Sequence, residues 1–233
     1  MNGVLYGVGV GPGDPELITL KSLRLIKSTE VIAYPKLKGS KSFARNIIEE
    51  FIDLPKVEIA IEIPMTVNRL PAQRAYNAAA QEISTHLNMG KNVVFLCEGD
   101  PFFYGSFMYL HSRLYKKYLV EIIPGVSSMT ACAAMAKKPL AARNEVLTVL
   151  PGPLSKKELE RRLADNNSSA IMKVGRHIKK IKSVINRLGL MDSSLYIERA
   201  SLKEQKVLKL IDAPEVAPYF SMVLVNKEED PWL

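Results

Sequence analysis

The feature that most constrains the fold is a glycine-rich loop near the start of the chain, between an apolar segment and a helical pattern. Apolar and small residues at 4–10 predict a β-strand. The alternating glycines of residues 9–13 allow a ligand to approach the backbone closely, and two prolines stiffen the turn. Thr19 then begins an amphipathic helix. Strand, glycine loop and helix in this order are typical of the ligand-binding edge of an α/β sheet.

The spacing of the loop argues against a dinucleotide fingerprint. That motif requires glycines at its first, third and sixth positions and an acidic residue about 20 residues later. Here the glycines alternate, prolines interrupt them, and Asp14 follows immediately. Taken alone, the loop is open to a second interpretation, a tight strand-to-helix turn that holds no ligand.

Length and composition indicate a globular chain. The 233 residues, 47% of them hydrophobic, are enough for one large domain or two small ones. No uninterrupted apolar run of about 18 residues occurs, and the first residues lack the basic region of a signal peptide, so a cytoplasmic location is expected. Cys97 and Cys132 lie in apolar surroundings without metal-ligand spacing, which favours buried, reduced thiols. No metal site is predicted.

The net charge of +8 concentrates in three basic clusters. They could be solvated faces, or they could attract a polyanionic small substrate or a nucleic acid. The clusters are Lys36, Lys38, Lys41 and Arg45; Lys137, Lys138 and Arg143; and Lys173, Arg176, Lys179, Lys180 and Lys182.

Short apolar segments alternate with helical patterns along the whole chain, which predicts parallel strands covered by helices in both halves. The fold class is therefore α/β, with an N-terminal domain at 1–120, a C-terminal domain at 121–233 and a cleft between them. The predicted strands are 4–10, 30–34, 57–62, 93–97 and 119–123, then 146–150, 170–174, 195–197, 204–209 and 219–225. The predicted helices are 17–28, 42–51, 73–89, 105–115, 128–137, 156–164 and 178–188.

Two more glycine-bearing loops follow predicted strands. The first, residues 98–106, offers backbone access at Gly99, an acceptor for an amine or a ribose hydroxyl at Asp100, and apolar surface at Phe102, although Gly-Asp-Pro is also a favourable turn sequence. The second, residues 124–128, provides a serine that could cap the next helix, whose first N–H groups are free for a ligand.

Together the three loops resemble the tetrapyrrole methylase family. The motifs that carry the resemblance are Gly-Pro-Gly-Asp at 11–14 with Ile18-Thr19, Gly-Asp-Pro-Phe at 99–102, and Pro-Gly-Val-Ser-Ser at 124–128. The resemblance implies two α/β domains, S-adenosylmethionine as methyl donor, a cytoplasmic homodimer, and no nucleic-acid or membrane partner. It also implies that the N-terminal domain forms the tetrapyrrole side of the cleft and that the C-terminal domain completes the donor site.

The resemblance also implies site residues, transferred position by position. The expected donor contacts are Pro12, Glu98, Gly99, Asp100, Phe103, Ser127, Ser128, Met172, Ala200, Ser221 and Met222, the last four holding the adenine largely through backbone groups. Substrate contacts are not transferred in this way: Lys36, Arg45 and Arg143 are candidates by position for the carboxylates on the rim of a tetrapyrrole, and together with Tyr104 they are expected to bind substrate. Some relatives carry an aspartate base where this chain has Pro35, so that mechanism does not transfer and no catalytic base is assigned.

The longer stretches at residues 9–21 and 98–110 resemble the branch of the family that methylates precorrin-2 at carbon 20, a bridging carbon of the ring, and so imply this reaction. The sequence leaves open whether the substrate is metal-free or is cobalt-factor II. Two more distant alternatives are an RNA methyltransferase of the same fold, which would suit the basic charge, and a non-catalytic binding protein.

Overall fold

The computed structural model describes residues 1–52, 55–64, 66 and 68–227. It divides into two compact units, residues 1–127 and 128–233. The division falls after residue 127 rather than after 120 because the strand at 120–123 pairs with the first strand of the chain. Among the described residues, no helix combines the length and hydropathy needed to cross a membrane.

The first unit contains a five-stranded, fully parallel sheet, with the strands in the order Val57–Glu62, Val31–Lys36, Val93–Cys97, Leu5–Gly9 and Val120–Ile123. Alternate residues of each buried strand point to opposite faces, so Val93 and Phe95 pack in one core and Val94 and Leu96 in the other. The strands are β1 (Leu5–Gly9), β2 (Val31–Lys36), β3 (Val57–Glu62), β4 (Val93–Cys97) and β5 (Val120–Ile123). The helices are α1 (Leu20–Ser28), α2 (Phe43–Ile47), α3 (Leu70–Asn88) and α4 (Phe107–Leu114), with short 3-10 turns at Pro15–Leu17 and Glu49–Phe51.

The second unit contains a five-stranded sheet, with the strands in the order Leu147–Pro151, Ser168–Met172, Ser221–Asn226, Ser194–Glu198 and Lys206–Lys209. Its helices cover both faces, because the helix Ser128–Ala136 contributes to one apolar cluster and the helices Lys156–Ala164 and Ile178–Arg187 to the other. The strands are β6 (Leu147–Pro151), β7 (Ser168–Met172), β8 (Ser194–Glu198), β9 (Lys206–Lys209) and β10 (Ser221–Asn226). The helices are α5 (Ser128–Ala136), α6 (Lys156–Ala164) and α7 (Ile178–Arg187), with 3-10 turns at Gly175–His177 and Leu210–Asp212.

The prediction of parallel strands in both halves is wrong for the second sheet. Only β6 and β7 are parallel, whereas β10 runs antiparallel to β7 and β8, and β8 runs antiparallel to β9. For β9 the physical reason is the length of its connection to β8. The seven residues 199–205 between β8 and β9 are too few for the helical crossover that a parallel pair requires.

Candidate functional site

The three glycine-bearing loops of the first unit meet at one edge of its sheet. They follow β1, β4 and β5, which are adjacent and parallel, so their carboxyl ends lie side by side. We call residues 10–14, 98–106 and 124–127 the three-loop site. Two backbone contacts join the first two loops: the Val10 N–H donates to the Cys97 carbonyl at 3.0 Å, and the Gly99 N–H donates to the Gly11 carbonyl at 2.9 Å.

Three glycines at the base of this site pack directly against one another. A Cβ placed on Gly9 would lie 2.5 Å from the Gly99 carbonyl oxygen and 2.7 Å from the Gly125 Cα, and one on Gly125 would lie 2.2 Å from the same oxygen. No L side chain fits at either position unless a neighbouring loop moves. The interpretation of Gly9 as a point of ligand approach is therefore corrected, because its close neighbours are the other two loops. Gly11 and Gly99 differ, since their φ angles of 80° and 65° favour glycine.

Asp100 organises two of the loops with its carboxylate. One oxygen, Oδ1, accepts hydrogen bonds from the Phe102 and Phe103 N–H groups at 2.9 and 3.0 Å. The other, Oδ2, accepts from the Gly125 N–H at 3.2 Å. The sequence suggested an amine or a ribose hydroxyl as the partner of this side chain, whereas the structure gives it three main-chain donors. Asp100 thus holds the second loop in its turn and ties it to the third.

The electrostatics of the three-loop site differ from those of the chain as a whole. Its residues include Asp14, Glu98 and Asp100 but no lysine or arginine, in a protein of net charge +8. Burial raises the pKa of Glu98, and the Ala44 N–H on α2 counteracts part of that rise. This edge of the sheet is suited to a cationic ligand and unsuited to a phosphate, which basic side chains normally accompany.

The remaining predicted residues of this region lie in or beside the same loops. Asp14 accepts a hydrogen bond from the Glu16 N–H at 2.9 Å and so caps a 3-10 turn. Pro12 and Phe103 are half-buried in the first and second loops. Tyr104 is exposed, has a positive φ of 58°, and packs edge-on against the Phe103 ring. Ser127 ends the first unit, and Ser128 begins α5 in the second.

The predicted residues of the second unit come together on the neighbouring strands β7, β10 and β8. Met172, Ala200 and Met222 share one apolar cluster, in which the Met222 side chain is buried. Ser221 begins β10 opposite Glu198, and its Oγ donates to the Pro218 carbonyl at 2.7 Å. These side chains are occupied in packing or in a hydrogen bond, and two main-chain groups are engaged as well: the Met172 carbonyl accepts from the Gly152 N–H at 2.7 Å, and the Ser221 N–H donates to the Tyr219 carbonyl at 3.0 Å. That main-chain groups hold the adenine stays a prediction.

The two predicted substrate-binding cations of the first unit are engaged in ion pairs. Lys36 forms an ion pair with Glu62 at 3.3 Å, and Arg45 holds Glu58 through Nε and Nη2 at 3.0–3.2 Å. Both acids lie on β3, within the first unit. Arg143 is exposed in the second unit with a positive φ of 45°.

A buried polar network at the end of β8 was missed by the sequence reasoning. Glu198 is 5% exposed and contacts Tyr196 and Lys206. An available signal was the strand Tyr196-Ile197-Glu198, where the acid falls on an inward position of an otherwise apolar alternation.

A sequence profile described as Tetrapyrrole (Corrin/Porphyrin) Methylases matches residues 4–212. The chain belongs to this family. Tetrapyrrole methylases use S-adenosylmethionine as methyl donor. The methylase described here is therefore a methyltransferase of two α/β units, as the three motifs indicated.

The methylase is similar along nearly all of its length to two relatives of cobalamin biosynthesis. It is 40% identical to the precorrin-2 C(20)-methyltransferase of a Sinorhizobium species, covering 98% of this chain and 97% of that one. It is 30% identical to the cobalt-precorrin-2 C(20)-methyltransferase of Salmonella typhimurium, covering 98% of each. A uroporphyrin-III C-methyltransferase of Thermus thermophilus, solved with S-adenosyl homocysteine, has the same fold, with a TM-score of 0.70, 24% identity and coverage of 96% and 97%.

The residues of the three-loop site fit the donor that the family uses. S-adenosylmethionine carries a positive sulfonium and an ammonium group, and the site offers three acids and no base. Its glycine-rich main chain leaves little side-chain bulk at the carboxyl ends of β1, β4 and β5, where ligands of parallel sheets bind.

Proposed function

We propose that this methylase transfers the methyl group of S-adenosylmethionine to carbon 20 of precorrin-2, giving precorrin-3A in cobalamin biosynthesis. The observation that carries the proposal is the 40% identity, over 98% of the chain, to a precorrin-2 C(20)-methyltransferase. The same methylation of the cobalt-containing ring is the second candidate, supported by the relative at 30% identity.

The proposed donor contacts fall into two groups. In and around the first unit's three-loop site they are Pro12, Glu98, Gly99, Asp100, Phe103, Ser127 and Ser128. In the second unit they are Met172, Ala200, Ser221 and Met222. The acidic loops would face the cationic methionine portion, and the main chain of the second group would hold the adenine.

The chemistry required of the protein is mainly positioning. The carbon–sulfur bond breaks as the new carbon–carbon bond forms in line with it, and the ring carbon then loses its proton. Because a reduced tetrapyrrole is electron-rich, alignment of the two reactants and exclusion of water supply most of the acceleration. The carboxylates and main-chain groups of the site orient the donor, and no residue is assigned as the proton acceptor.

We propose two roles for the predicted substrate-binding residues. Tyr104 and Arg143 would contact the substrate directly. Lys36 and Arg45 would first have to exchange their ion pairs with Glu62 and Glu58 for carboxylates on the rim of the substrate. The half-exposed Lys36 pair is weak, so its exchange costs little. The bidentate Arg45 pair, which shares Glu58 with the Tyr34 hydroxyl, costs more to exchange. A cytoplasmic homodimer without nucleic-acid partners is part of the same proposal and rests on the family resemblance.

The decisive experiment is incubation with S-adenosylmethionine and precorrin-2, with and without bound cobalt, followed by mass spectrometry and assignment of the methylated carbon. A mass gain of one methyl group located at carbon 20 is expected. Methylation at another carbon, or of neither ring, would refute the proposal. A salt-dependent gel shift with RNA, together with methylation of that RNA, would favour the alternative with a nucleic-acid substrate.

A further inference from the structure

Glu198 is a buried carboxylate outside the three-loop site. It ends β8 and is 5% exposed. The Tyr196 hydroxyl donates to its Oε2 at 2.6 Å, and the Lys206 Nζ lies 3.0 Å from its Oε1. Burial alone would raise the pKa of Glu198, but these two partners bring it below its usual value. A buried carboxylate with both oxygens engaged is costly to disturb, because loss of either partner leaves polar groups unsatisfied.

The carboxylate lies where three strands meet. In the register of the sheet, Glu198 is opposite Lys206 on β9 and opposite Ser221 on β10. The next residue continues the link to β10, since the Arg199 N–H donates to the Phe220 carbonyl at 2.8 Å. Glu198 thus anchors the point at which β8 leaves the sheet, directly beside the first residue of β10.

The turn that follows this anchor is strained. Arg199 and Ser201 have φ angles of 51° and 67°, which residues other than glycine rarely adopt. Ala200 lies between them. The Gln205 side chain supports the turn by accepting from the Ser201 N–H at 3.0 Å. Backbone strain of this kind persists only where the surroundings enforce it, and it occurs frequently at ligand-binding sites.

We propose that Glu198 is a positioning residue for the methyl donor: it holds the strained turn at Arg199–Ser201 so that the main chain of Ala200 and Ser221 is presented to the adenine. This inference rests on the proposed function, because it takes the donor contacts of the second unit from it. The chain itself provides a matched control. In the first unit, the Tyr34 hydroxyl donates to Glu58 at 2.6 Å and Arg45 holds the same carboxylate, but among the described residues 55–64 around Glu58 no positive φ occurs.

The test compares Glu198→Gln with Glu58→Gln in the full chain, by calorimetry with S-adenosyl homocysteine and by methyl-transfer kinetics. E198Q should weaken the binding of S-adenosyl homocysteine by about tenfold or more, and E58Q should leave it within about twofold. In kinetics, E198Q should raise the KM for the donor, with kcat at saturating donor and the KM for the tetrapyrrole unchanged.

A rescue experiment separates positioning from general stability. Glycine adopts positive φ without cost, so Ser201→Gly added to E198Q should restore most of the lost affinity for S-adenosyl homocysteine. If E198Q does not fold, Lys206→Met replaces it, since the Lys206 side chain is 61% exposed, and the same direction of change is expected.

The outcomes are distinguishable. If the wild-type chain shows no heat with S-adenosyl homocysteine, the proposed function fails. If the wild type binds but E198Q binds equally well, or if E198Q and E58Q lose affinity equally, the positioning role is overturned and the proposed function stands.

Discussion

Gly125 provides the most direct test of the three-loop site, because its substitution by alanine adds a single methyl group at a known point. The added Cβ would start 2.2 Å from the Gly99 carbonyl oxygen, a distance that must grow to at least about 3.0 Å. The third loop must therefore move away from the second by most of an ångström. Since Gly125 does not have a positive φ, its backbone needs no adjustment, and the effect comes from contacts of the added Cβ, which would also lie 2.8 Å from the Gly9 Cα.

Overpacking of this size costs about 1–3 kcal/mol of unfolding free energy. For a chain of this length, that lowers Tm by roughly 2–12 °C. The displacement should also weaken the binding of S-adenosyl homocysteine by about 10- to 100-fold, because a shift of about 1 Å in a binding group has effects of that order. Calorimetry at a temperature well below Tm measures this loss on folded protein.

Gly39→Ala is the control. Gly39 has a φ of 72° and no atom within 4 Å of an added Cβ. Alanine at this position therefore lowers the unfolding free energy by about 1 kcal/mol through backbone strain, without displacing a loop. G39A should bind S-adenosyl homocysteine as the wild type does. Unchanged affinity in G125A would refute the reasoning that the glycine contact sets the geometry of the donor site.

Three further predictions concern individual side chains. Asp100→Ala removes the acceptor of three main-chain hydrogen bonds. It should lower the unfolding free energy, measured by urea titration, by about 2 kcal/mol or more, and it should also lower the affinity for the donor. A loss of affinity at full stability would indicate direct contact with the ligand instead. The pKa of Glu198 is lowered in the folded state, so its contribution to stability is full above the unfolded-state pKa of about 4.5 and is lost as pH falls through the folded-state pKa. The difference in Tm between wild type and E198Q should therefore be largest near pH 7 and shrink below pH 4.5. A difference in Tm independent of pH would contradict this. Burial raises the pKa of Cys97 to about 11 and that of Cys132 to about 12. Neither thiol should therefore react with iodoacetamide in native protein at pH 8, whereas both should react in urea. Rapid labelling of the native protein would show that the cores open.

Much of the first unit could be predicted from its sequence because its strands and helices are marked by short residue patterns. The strands 57–62 and 93–97 were predicted with the observed ends, since each is an apolar or alternating run bounded by polar residues. The three loops could be placed at one edge because parallel strands all end on the same side of the sheet. The predicted helix at 42–51 was less accurate: α2 ends at Ile47, and a 3-10 turn follows.

The second unit was harder to predict because an apolar run does not show the direction of the strands beside it. The run at 219–225 looks the same whether its neighbour is parallel or antiparallel, and the short 199–205 connection indicated a reversal only for β9. The roles of Gly9 and Gly125 were also hidden. A glycine that faces a ligand and a glycine that faces another loop have the same sequence context, and only coordinates separate them.

The acidic character of the three-loop site has a consequence for turnover. Methyl transfer converts the sulfonium into an uncharged thioether, so the reaction itself removes one of the two positive charges that Asp14, Glu98 and Asp100 would attract. If the donor binds at this edge of the sheet as proposed, electrostatic attraction would favour S-adenosylmethionine over its demethylated by-product, and added salt would weaken the preference by screening the charges. The bond cleavage that completes the chemistry would then also promote release of the by-product.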